Sequence, residues 1–210
     1  IAAEPVFSES QLARALIAAE DAAIPALILL NKADLASIAT ARARLAPYAA
    51  MGVEVIELAL KASPIEARAR LEPLLADKAS LAIGPSGAGK STLINLLAPH
   101  AKAQVGEISS ALNSGRHTTT ATHWYWLTPQ RRSALIDSPG FQEFGMRHID
   151  AQQLASLMPD LRTHTAGCRF YNCTHLHEPG CEVRAALQRG QIDASRYRIY
   201  VEILGELAPR

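Results

Sequence analysis

Gly84-Pro85-Ser86-Gly87-Ala88-Gly89-Lys90-Ser91 matches G-x-x-x-x-G-K-[ST] and stands between an apolar run, Leu81 to Ile83, and a stretch with leucines at 93, 96 and 97. A strand that ends in a glycine-rich turn and re-enters as a helix is the context the motif needs. Its glycines let the backbone curl until N–H groups converge on phosphate oxygens, and the helix N-terminus adds a favourable dipole. Lys90 then reaches the β- and γ-phosphates and Ser91 ligates Mg2+. The phosphate-binding set is therefore Gly84, Pro85, Ser86, Gly87, Ala88, Gly89, Lys90, Ser91 and Thr92.

Upstream, Asn31-Lys32-Ala33-Asp34 follows an apolar strand over Ala26 to Leu30, where an open α/β sheet places its ligand-contacting loops. The Asp34 carboxylate can accept both N1–H and N2–H of guanine, a donor pair that adenine lacks, so GTP is selected over ATP. Asn31 binds the base and braces the phosphate loop, and the stem of Lys32 covers the ring. Taken alone, Asp34 also suits a helix cap. Downstream, Asp137-Ser138-Pro139-Gly140 fits D-x-x-G at a strand end. Asp137 holds Mg2+ through water and the Gly140 amide reaches the γ-phosphate. Between the two lies Gly115-Arg116-His117-Thr118-Thr119-Thr120, a switch-like loop in which Thr119, or Thr118, completes the magnesium shell. Phe141 follows Gly140 and cannot accept a hydrogen bond from an attacking water, so hydrolysis is slow unaided. His117 is the candidate to orient that water, with Gln142 the alternative.

The surroundings alternate strand and helix, which predicts an α/β fold with a mainly parallel sheet. Ser8 with Gln11 caps a helix carrying Leu12, Leu16 and Ile17, and Val53 to Leu58 is a strand. Ser63, Pro64 and Glu66 open a helix through Leu71, Leu74 and Leu75. Strands follow at Thr122 to Leu127 and at Leu135-Ile136. Beyond residue 147 the pattern turns to helices, one capped by Asp150 and another by Ser195, the latter presenting Tyr197, Val201 and Leu204 on one face. Two domains result, 1–147 and 148–210. With 49% hydrophobic and 20% charged residues the composition excludes disorder, and a net charge of +1 gives no global basic excess to mark nucleic acid. No apolar run spans a bilayer, so the expectation is a cytoplasmic monomer. The start at Ile1, without methionine, reads as an internal cut.

The three cysteines crowd into Cys168-x4-Cys173-x-His175-x5-Cys181, a set of soft donors that can close a tetrahedral zinc site, with His177 a competing fourth ligand. The motif order is unusual. In Ras-like GTPases the phosphate loop precedes N-K-x-D, whereas here it follows, as a circular permutation would produce. No clear counterpart of the late base-contacting loop exists, and Glu57-Leu58-Ala59-Leu60-Lys61 occupies its place.

Together, N-K-A-D, G-P-S-G-A-G-K-S, G-R-H-T-T-T, D-S-P-G and the cysteine cluster resemble the circularly permuted, ribosome-small-subunit-dependent GTPase A family over essentially the whole chain. The resemblance implies a permuted P-loop GTPase domain with a small helical zinc-binding domain at its C-terminus, and selects Cys168, Cys173, His175 and Cys181 as structural zinc ligands. It further implies GTP as substrate, Mg2+ as cofactor, hydrolysis stimulated by the 30S subunit during its late maturation, and contact with 16S rRNA. An OB-fold domain precedes this region in that family. Arg162, Arg169, Arg184, Arg189, Arg196 and Arg198 are candidates for rRNA phosphates, and Trp124, Tyr125 and Trp126 can stack on bases or pack in the core.

Overall fold

The computed structural model describes residues 1–99, 122–137 and 146–207. His117, Thr118, Thr119, Gly140 and Gln142 lie outside the described residues. The chain divides into two compact bodies. The first comprises the described residues of Ile1–Phe7, Ile28–Ala43 and Val55–Gln142, the second those of Ser8–Leu27, Arg44–Glu54 and Glu143–Arg210.

In the first body, β1 (Leu27–Asn31) and β2 (Glu54–Leu58) form one hydrogen-bonded pair, and Ala2 adds a parallel bridge to Asn31. A second sheet has the order β3 (Ala79–Ala82), β5 (Ala134–Asp137), β4 (His123–Trp126). β3 and β5 run parallel, while β4 runs antiparallel to β5. Helix α3 (Pro64–Leu75) buries Ala67 and Leu71, and α4 (Lys90–Leu97) buries Leu93, Ile94 and Leu97. Pro64 sits at the first position of α3, where its missing N–H costs nothing, but the Ser63 side chain makes no capping bond.

The second body has its own core, which includes Ala13 and Ile17 of α1 (Glu9–Asp21) and Leu154, Met158, Leu161, Val183, Ile192 and Ile203. Ser8 caps α1 by accepting a hydrogen bond from the Gln11 amide at 3.3 Å. Two expectations for the C-terminal helices are corrected. Asp150 opens a turn leading to a short 3-10 segment at Leu154–Leu157, instead of capping an α-helix. Helix α7 (Ala194–Leu207) is capped by Asp193, whose carboxylate accepts from the Ser195 amide at 2.7 Å. Of the expected face, Tyr197 and Leu204 pack partly buried against this core and Val201 is exposed, while the fully buried residues are Arg196, Ile199, Tyr200 and Ile203.

Arg196 explains that shift of face. It is 2% exposed and donates to both carboxylate oxygens of Asp160, at 2.9 and 3.2 Å. Asp160 belongs to α5 (Pro159–Thr165). The guanidinium also lies 4.9 Å from the ring centroid of Tyr48, on α2 (Ile38–Ala50). Buried this way, Arg196 cannot reach an rRNA phosphate, and Arg162 and Arg189 are paired with Glu20 and Glu182. Asp160→Asn leaves a buried cation uncompensated, so urea unfolding of the second body is expected to show a loss of about 3–5 kcal/mol. A loss under about 1 kcal/mol would mean that water reaches the pair.

Candidate functional site

The loop from Gly84 to Gly89 carries the chain from β3 into α4. Gly89 precedes the helix at φ 105°, and its carbonyl accepts the first helical bond from Leu93 at 2.9 Å. A Cβ on Gly89 would lie 2.3 Å from Asn31 Nδ2, so glycine is required twice, for backbone angle and for close approach. Lys90 crosses the loop and donates from Nζ to the Gly84 carbonyl at 2.6 Å and to Pro85 at 3.4 Å. Burial lowers its pKa, and Asp137 acts in the opposite direction.

Asn31 joins the two halves of the site. Its Nδ2 donates to the Ala88 carbonyl of the loop at 2.9 Å, and its Oδ1 accepts from the Leu60 amide at 3.1 Å. Asn31 is 6% exposed, so both bonds are shielded from competing water. The next residue, Lys32, takes the left-handed region at φ 62° and donates from Nζ to the Glu4 carbonyl. Asp34 is exposed. The Leu60 amide, in the segment without a recognisable base-contacting motif, is thus part of the same framework. A backbone donor leaves no side-chain signature by which it could have been read.

Asp137 ends β5 and is paired in register with Ala82 on one side and His123 on the other. Burial raises its pKa, opposed by Lys90 and His123. Its Oδ1 is buried without a hydrogen-bond partner among the described residues. A buried carboxylate oxygen left unpaired in this way suits a hard divalent cation, the donor chemistry that Mg2+ needs. His123 was not among the sequence candidates, and its only signal was strand pairing.

In the second body, Cys168, Cys173, His175 and Cys181 bring their four ligand atoms within 4.8 Å of one another. His177 stays outside this group. His175 Nδ1 lies 3.5 Å from both Cys168 Sγ and Cys181 Sγ, and the two sulfurs are 4.0 Å apart. A tetrahedron with Zn–S and Zn–N bonds of ordinary length has edges of about 3.8 Å between sulfurs and about 3.6 Å between sulfur and nitrogen. The donor set and its spacing therefore fit zinc.

Burial pushes the Cys173 thiol up to about 12 and raises Cys181 as well, so three thiolates this close need a cation to ionise together. The ligand loop is held from outside. The Glu178 carboxylate accepts from the Thr174 amide, the Thr174 hydroxyl and the His177 amide. Burial acts to raise its pKa, but these bonds outweigh it and hold it down at about 2. The Tyr197 hydroxyl donates to the His175 carbonyl at 2.6 Å and the Tyr200 hydroxyl to Thr174 at 2.8 Å. His175 itself is at φ 60°, in the left-handed region.

Comparison with known proteins agrees with this arrangement. A family model described as RsgA GTPase matches residues 1–147. The small ribosomal subunit biogenesis GTPase RsgA of Variovorax paradoxus (strain S110) is 60% identical, over 99% of this chain and 67% of its own length. The protein of the same name from Burkholderia pseudomallei (strain 668) is 52% identical over 98% of this chain and 65% of its own. The chain thus spans about two thirds of these relatives. Among solved structures, YloQ, titled a circularly permuted GTPase, superposes with a TM-score of 0.77 at 28% identity, covering 100% of this chain and 68% of that one. YjeQ from Thermotoga maritima gives 0.76 at 26% identity, covering 100% and 70%.

Proposed function

The chain belongs to the RsgA GTPase family, and on that premise we propose that it hydrolyses GTP in late maturation of the 30S ribosomal subunit, binding and leaving the subunit according to its nucleotide. The observation that carries this reading is Asn31, which ties the N-K-A-D segment to the phosphate loop through Ala88. A phosphate-binding loop alone would suit an ATPase or kinase, whereas its physical union with a guanine-selecting segment would not.

In this reading Gly84 to Thr92 cradle the phosphates, Lys90 turns from its loop carbonyls to the β- and γ-phosphates, and Asn31, Lys32 and Asp34 hold the base. Ser91, Asp137 and Thr119 would hold Mg2+, which when bound screens the phosphate charge. Gly140 senses the γ-phosphate and His117 orients the water when the subunit is bound. Residues 1–147 carry the nucleotide chemistry and 148–210 form the zinc-binding domain, with α1 lent to its core. Zinc in a closed four-ligand site stabilises and takes no part in hydrolysis. The partners are the 30S subunit and its 16S rRNA, the protein is a cytoplasmic monomer, and among the described residues no helix is long and apolar enough to cross a membrane.

The test is GTP turnover with and without purified 30S subunits. Stimulation of at least tenfold is expected, and His117→Ala should remove most of it while leaving GTP affinity and 30S binding near those of the parent. No stimulation would leave a GTP-binding adaptor. A separate expectation concerns the base. Asp34→Asn presents an amide donor where guanine needs acceptors, so GTP should bind roughly a hundredfold more weakly while xanthosine triphosphate gains. Unaltered preference in competition titrations would reject the assignment of Asp34.

A further inference from the structure

Strand β4 places Trp124 and Trp126 on one face and buries Tyr125 on the other. Across the sheet Trp124 is paired with Ile136, and Ile136 with Leu81, so the three form a row on that face. Trp124 is 49% exposed and Leu81 52%, an arrangement that leaves an indole and its apolar floor open to solvent. The two indoles meet edge to face, with centroids 5.4 Å apart at 61°, so they are not stacked on one another and at most one flat face is taken up by the neighbour's edge.

The turn end of this face carries a cation. Arg131, in the left-handed region at the β4–β5 turn, holds its guanidinium 5.9 Å from the Trp126 centroid and has no carboxylate partner among the described residues. Asp77, the acid beside the turn among the described residues, is paired with Arg132. An open indole next to an unneutralised guanidinium is complementary to a nucleobase attached to its phosphate.

We propose that the face centred on Trp124, with Trp126 and Arg131, is a stacking platform for unpaired RNA bases. The proposal rests on the reading that this chain acts on the small ribosomal subunit, and names where on the first body RNA is gripped. Duplex RNA hides its bases in the stack, so the platform selects single strands, loops or bulges. Sequence preference is weak, because every base has a π-face.

The chain contains only two tryptophans, both on this surface, so tryptophan emission, excited at wavelengths its five tyrosines do not absorb, reports the platform. The experiment titrates the intact chain, without GTP or ribosomes, with a mixed-sequence single-stranded RNA dodecamer and with the same sequence as a duplex. Tryptophan quenching and anisotropy of an end label are followed together. Strong quenching by the single strand and little by the duplex are expected. Trp124→Ala should weaken single-strand binding about tenfold and Trp124→Phe much less, since a phenyl ring still stacks. Arg131→Ala should lower the salt dependence of binding by about one counterion.

GTP affinity should be unchanged in all three variants, which shows that the fold is intact. Binding without quenching, equal quenching by the duplex, or Trp124→Ala binding RNA like the parent would each overturn the proposal. So would loss of 30S binding by Trp124→Ala with no RNA binding by the parent, which would make the face a dock for a ribosomal protein. Because the assay omits the subunit, absence of 30S-stimulated GTP turnover would count against the proposed function and leave this result standing.

Discussion

Gly89→Ala is expected to lower GTP and GDP affinity at least a hundredfold in fluorescent-nucleotide titrations, with the fold retained. Two costs add. Alanine at φ 105° is strained whatever its surroundings, and its Cβ would fall 2.3 Å from Asn31 Nδ2. Relief requires Asn31 to move, which breaks its bond to Ala88, or the loop to open, which spreads the amides that would hold phosphate. The control is Gly52→Ala. Gly52 is also at positive φ, 87°, but nothing lies within 4 Å of its added Cβ. It should lose about 1 kcal/mol of stability and no nucleotide affinity. Equal behaviour of the two variants would show that close approach to Asn31 is irrelevant to the site.

Cys173→Ser is the second substitution with a large expected effect. Zinc content should fall from one per chain to near zero, and hydrogen exchange should accelerate across residues 168–190, including α6 (Glu182–Gln188), whose N-cap is the ligand Cys181. The four donors come from a loop with little apolar content, so metal binding supplies most of what orders it. Nucleotide affinity should stay within about threefold of the parent, because the ligands and the phosphate loop belong to different bodies.

The pH dependence follows from the thiols. Cys173 and Cys181 are both raised by burial, Cys173 to about 12, so at neutral pH the metal-free loop holds both protons. Zinc binding expels them, and affinity must fall as pH drops, by about a hundredfold per pH unit for two protons released. A competition titration against a chelator between pH 6 and 8 measures that slope. A flat profile would mean that the thiols are already ionised.

The nucleotide motifs and the cysteine cluster were legible because their chemistry demands particular residue types at close spacing. Gly89 is an example, since a tight turn and a close approach both exclude a side chain there. What stayed hidden depended on partners distant in the chain or on backbone atoms. Arg196 looks like a surface charge until Asp160 and Tyr48 are found around it, and that misled the reading of the α7 face. Asp193 was passed over as a cap in favour of Ser195, although its carboxylate serves both the Ser195 amide and hydroxyl. Positive φ at Lys32 has no sequence mark, and at His175 only a weak one, since histidine is among the side chains that enter that region more often than most.

Helix α1 lies almost at the start of the described chain, yet Arg14 pairs with Glu202 and Glu206, a separation of 192 residues for the second pair. Synthesis at about 5–20 residues per second delivers α1 some ten to forty seconds before the end of α7 that it meets. During that interval Ala13 and Ile17 have no core to enter, because Leu154, Met158, Leu161 and Ile203 are still to be translated. The first body can assemble as its strands emerge, but the core of the second waits until Ile203 has been translated. A nascent chain stalled before residue 154 therefore leaves the Ala13 and Ile17 face of α1 without a core to enter, which makes this face a holding point for a chaperone during biosynthesis.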